Sequence, residues 1–88
     1  MFGKNVKKNF LKKVKDMNKE YIRKMTLESI LNDSFFENEI DDYSYEDYGL
    51  LKEKFKKLLK ELSVLKDERD YEIINTKELI KKVEKMSI

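Results

Sequence analysis

The stretch SYEDYGLLKEKFKKLLKELSVLKDER, residues 44–69, is the one on which the reading of the fold turns. Within it Tyr48, Leu51, Phe55, Leu58, Leu62 and Leu65 recur at alternating steps of three and four, with Leu59 beside them. At about 100° per residue these positions share one side of a helix, forming a heptad-like seam of roughly three repeats. Ser44 followed three residues later by Asp47 resembles a capping box with Asp in place of Glu. The helix is therefore expected to open there and to run to about Arg69.

Upstream, the same spacing joins Val6, Phe10, Val14, Met17, Tyr21 and Met25, a stripe widened by Leu11 and Ile22. Beside it Lys4, Lys8, Lys12, Lys15, Lys19 and Arg23 follow the same steps and form a basic ridge. One cationic amphipathic helix over residues 1–25 is the expectation. Thr26 is placed to cap a second, short helix carrying Leu27, Ile30, Leu31 and Phe35, either separate from the first or continuing it. Over residues 37–48, ENEIDDYSYEDY, the apolar period is lost and neighbouring carboxylates repel, which reads as a loop or a helix end.

Downstream, the cluster KDERD at residues 66–70 closes the seam. Tyr71, Ile73 and Ile74 form an apolar link that is either extended or packed beneath the helices. Asn75 with Glu78 is a second capping-box pattern, ahead of Leu79, Ile80, Val83 and Met86, and predicts a last helix of about ten residues.

The expected fold class is all-α: one domain, residues 1–88, built as a small bundle or hairpin of three to four amphipathic helices with an acidic inter-helix loop. It divides into a basic helix (1–25), an acidic segment (26–48) and two helices (49–88). The 48–65 seam is expected to pack on the 6–25 stripe.

Composition limits the function classes. The chain has 88 residues, 43% of them charged, with no proline and only two glycines, Gly3 and Gly49. There is no Cys, His or Trp, which removes thiol chemistry, the commonest zinc ligands and the side chain best poised for proton transfer near neutral pH. No P-loop, dinucleotide-binding or nucleophile-elbow motif is present. Asp41, Tyr43 and Tyr45 break the spacing a calcium loop needs, and no acid is followed two residues later by Lys, as a metal-dependent nuclease doublet would require. No catalytic residue, metal or cofactor is expected. No apolar run approaches the roughly 18 residues of a membrane span, and Lys12 and Lys13 interrupt any leader-like stretch. Lys outnumbers Arg 18 to 2 and Ala and Gln are absent, a bias that follows AT-rich codons. The expected location is the cytoplasm of a bacterial or other low-GC host.

The net charge of +2 conceals a segregation: residues 1–25 carry nine basic and two acidic side chains, 26–48 none and eight, 49–88 eleven and eight. Such asymmetry points to binding surfaces. The first expectation is a non-enzymatic, phage- or mobile-element-type regulator or inhibitor that occupies a surface of a partner protein through Glu39, Asp41, Asp42, Tyr43, Tyr45, Asp47 and Tyr48. The second is a nucleic-acid-binding accessory protein whose ridge of Lys4, Lys8, Lys12, Lys15, Lys19 and Arg23 lies along phosphates. The third is a self-associating helical subunit, a homodimer joined through Leu51, Phe55, Leu58, Leu62 and Leu65. A membrane surface suits the basic helix less well, because Asp16 and Glu20 interrupt its charge and the chain needs its apolar stripe for a core.

Overall fold

A computed structural model describes residues 4–37 and 45–86, with side chains over 6–33 and 49–86. The elements run α1 (Lys4–Met17), β1 (Tyr21–Arg23), α2 (Lys24–Glu37), α3 (Tyr45–Leu62), β2 (Leu65–Lys66), β3 (Glu72–Asn75) and α4 (Thr76–Glu84). The class is mixed α/β, not all-α. Among the described residues, four helices accompany a three-stranded antiparallel sheet in the order β1-β3-β2.

The physical reason lies at two interruptions of the helical period. Asn18 takes a positive φ of 50°, a conformation an α-helix cannot contain and that Asn tolerates better than most residues. The first helix therefore stops at Met17 rather than reaching residue 25. Tyr21, Ile22 and Arg23 pair with Asn75, Ile74 and Ile73. At the second interruption Ser63 caps the end of α3: its N–H bonds the carbonyl of Leu59 at 3.0 Å, and its Oγ bonds that of Lys60 at 3.0 Å. The long helix thus ends at Leu62, not near Arg69, and Leu65 belongs to a strand opposite Ile73. The link at 71–74 is extended, as the β-branched Ile73–Ile74 pair favours.

A tight turn joins β2 to β3. Asp67 accepts from the backbone N–H of Arg69 at 2.9 Å and of Tyr71 at 3.0 Å, and Asp70 takes a φ of 67°. Asp67 thus closes the turn through downstream amides, and Asp70 takes the left-handed conformation that aspartate tolerates better than most residues.

The core lies between the helices and the inner face of the sheet. Val6, Phe10 and Val14 of α1, Leu27 and Leu31 of α2, Leu51, Phe55 and Leu59 of α3, and Leu79 and Val83 of α4 surround Ile22 and Ile74. Phe10 and Phe55 meet edge to face, their ring centroids 5.4 Å apart, a favoured aromatic geometry. The 6–25 stripe and the seam do meet, but Met25 leaves the contact and is 65% exposed.

The last helix opens at its expected cap: Asn75 Oδ1 accepts from the Glu78 N–H at 3.1 Å. Thr76 donates its N–H to the Glu20 carbonyl at 2.8 Å, tying β1 to the start of α4. The Lys7 ammonium donates to the carbonyls of Glu84 and Met86 at 2.9 and 3.2 Å. A cation there satisfies helix-end carbonyls and complements the helix dipole. Thr26 lies within the first turn of α2 rather than capping it, and a strand, not a continuous helix, separates α2 from α1. Among the described residues no helix is long and apolar enough to cross a membrane.

Candidate functional site

Each helix that supplies the core turns its other side outward. On α1 Phe10 is fully buried while Lys8, Lys12 and Lys15, two or five residues away, are exposed. On α3 Phe55 is fully buried while Lys54, Lys56, Lys57 and Lys60 are exposed, together with Glu53 and Glu61. The ammonium groups of these seven lysines form no hydrogen bond or ion pair among the described residues, so their charge is available to solvent and ligands.

The expected ridge on the first helix survives only in part. Lys4 opens α1, Lys8, Lys12 and Lys15 form its exposed stripe, and Lys19 lies beyond the helix end. Arg23 leaves the ridge altogether. It sits on β1, donates from Nε to the Asp67 carboxylate at 3.0 Å and stacks 4.3 Å from the centre of the Tyr71 ring. Partial desolvation raises the pKa of Asp67, but the amides of Tyr71 and Arg69 and the Arg23 guanidinium together outweigh it and hold the carboxyl below its ordinary value of 3.8. Lys24 pairs with Glu72 at 3.3 Å beside this cluster.

Of the expected acidic and aromatic site, Glu39, Asp41, Asp42 and Tyr43 lie outside the described residues. Tyr45, Asp47 and Tyr48 belong to the first turn of α3 and not to an inter-helix loop. Of the seam residues, Leu51 and Phe55 are buried in the chain's own core, Leu58 and Leu62 pack partly buried against it, and Leu65 is 44% exposed on the sheet.

Sequence reasoning passed over two surfaces. One is the lysine face of α3, visible in KEKFKKLLKE but overshadowed there by the leucines of the same helix. The other is the outer face of the sheet. Because Ile22 and Ile74 face the core, Tyr21, Arg23, Ile73 and Leu65 point the opposite way, and Tyr71 joins them through its contact with Arg23. Tyr21, Leu65 and Tyr71 are each more than 40% exposed. Two open depressions flank Arg23, one walled by Met25, Glu28 and Tyr71, the other by Met17, Tyr21 and Ile73. Thr76 Oγ1, buried without a hydrogen bond, lines neither of them. Among the described residues no three acidic, His or Cys side chains converge as a metal site would require.

Comparison with protein-family models, with curated proteins and with solved structures gives no match to this chain.

Proposed function

We propose that the protein binds double-stranded DNA through the lysine face of α3. The observation that carries this reading is the placement of Lys54, Lys56, Lys57 and Lys60, exposed on a helix whose opposite side is anchored in the core by Leu51, Phe55 and Leu59. A rigidly seated helix with free cations can enter a groove without rearranging, and every phosphate it neutralises releases counterions.

Fluorescence anisotropy of a labelled 30-base-pair duplex tests the proposal. Binding in low salt should weaken as salt rises, with a log–log slope near −0.9 for each phosphate contacted. Reversing Lys54, Lys57 and Lys60 to Glu should weaken it at least tenfold and flatten that slope. Absence of any duplex binding by the natural chain in 50 mM salt would refute the reading. A second reading, docking of a partner protein, draws on the exposed Tyr21, Leu65 and Tyr71 of the outer sheet face.

A further inference from the structure

We infer that α1 carries a second, independent DNA-contacting face, so that one molecule joins two duplex segments; this rests on DNA binding by α3. The rings of Phe10 and Phe55 belong to α1 and α3. They meet in the core with centroids 5.4 Å apart, so α1 and α3 bury their apolar sides in one shared core, with α2 and α4 packed against each of them. At about 100° per residue, Lys8, Lys12 and Lys15 sit roughly 140–200° around α1 from Phe10. Lys57 and Lys60 sit roughly 140–200° around α3 from Phe55 by the same geometry. Two helices that bury their apolar sides in one core turn their cations away from it, onto separate parts of the surface.

The α1 face is cationic. The helix, KNVKKNFLKKVKDM, holds six lysines and one acid, Asp16. Lys8 and Lys15 lie about 10 Å apart along the axis at 1.5 Å per residue, with Lys12 between them. Three free cations about one helical turn apart can each neutralise a phosphate, and the complementary charge names the occupant: a nucleic-acid backbone, contacted without sequence readout.

One duplex does not reach both faces. The shorter extents of the molecule are 23 and 21 Å, whereas duplex DNA stays straight over a persistence length of about 50 nm. Folding it around so thin a body costs more bending energy than a few lysine contacts return. The second face therefore takes a second segment.

The test uses the full chain, a biotinylated 30-base-pair duplex on beads and a fluorescent duplex in solution, at 50 mM salt. The natural chain is expected to retain the fluorescent duplex on the beads. The K8E/K12E/K15E variant, its fold checked by circular dichroism, is expected to bind a single duplex within threefold of the natural chain while its bridging falls at least tenfold. Unchanged bridging by that variant overturns the inference, because a dimer presenting two α3 faces would then be the bridge. A loss of single-duplex binding as large as that of K54E/K57E/K60E also overturns it, because the two helices would then form one continuous surface. No single-duplex binding by the natural chain refutes the α3 reading itself, which separates the two failures.

Discussion

Phe10 meets Phe55 in the helical core, and Arg23 meets Tyr71 on the open face of the sheet; both contacts join elements far apart in the chain. The first is dry, both rings being fully buried. The second is wet: the Arg23 side chain is 41% exposed and Tyr71 44%. Removing a buried ring leaves a cavity that its neighbours fill only in part, whereas a surface guanidinium exchanges its partners for water at little cost. The helical core therefore carries most of the stability, and the sheet face carries the local order of the hairpin.

The largest effect should come from the dry contact. Phe55→Ala removes a fully buried ring and should cost about 3–5 kcal/mol, read as a lower urea midpoint, with unfolding still cooperative if the rest of the core holds. A loss under about 1 kcal/mol would mean that the core does not depend on this pair. An intermediate effect is expected where sheet passes into helix. Asn75→Ala deletes the cap of α4 and should cost about 1 kcal/mol by the same measurement, while Asn75→Asp, which keeps an acceptor at the helix start, should recover most of it.

The smallest effect belongs to the wet contact and shows in its pH dependence. Asp67 has a lower pKa in the folded chain than the ordinary 3.8. Near that value the unfolded chain binds more protons than the folded one. Its contribution is thus fully present above the unfolded pKa and is lost as pH falls through the folded value. Urea midpoints of the natural chain and Asp67→Asn should differ most near neutral pH and converge as the pH is lowered below 3.8. A gap that does not narrow on acidification would show that the carboxylate charge does nothing for the hairpin.

The comparison also separates what was legible in the sequence from what was not. Helical stripes repeat over many residues, so Val6, Phe10 and Val14, and Leu51, Phe55 and Leu59, were readable as buried faces, and Asn75 as a cap. The strands have only three, two and four residues, too few to establish a period of two against a helical background. Ile22, Leu65 and Ile73–Ile74 therefore appeared as parts of stripes or of a link. The lysine face of α3 was present in the letters, yet its bearing depended on knowing that the opposite side is buried. Arg23 was misplaced on a ridge for the same reason: a helix was continued past Asn18, whose positive φ no periodicity reveals.

The sequence by itself determined three to four helical segments, the division of charge along the chain, the cap of α4 and the absence of His and Cys, because these depend on neighbours within a turn or on composition. Tertiary structure alone decided that two of the helical stripes stop early and that their ends pair as strands across the chain. It also decided that Arg23 serves the hairpin rather than the ridge, and that α1 and α3 bury their apolar sides in one core. Such outcomes depend on strand pairing and packing between distant residues, whose free energy exceeds local helical preference once both partners are in place.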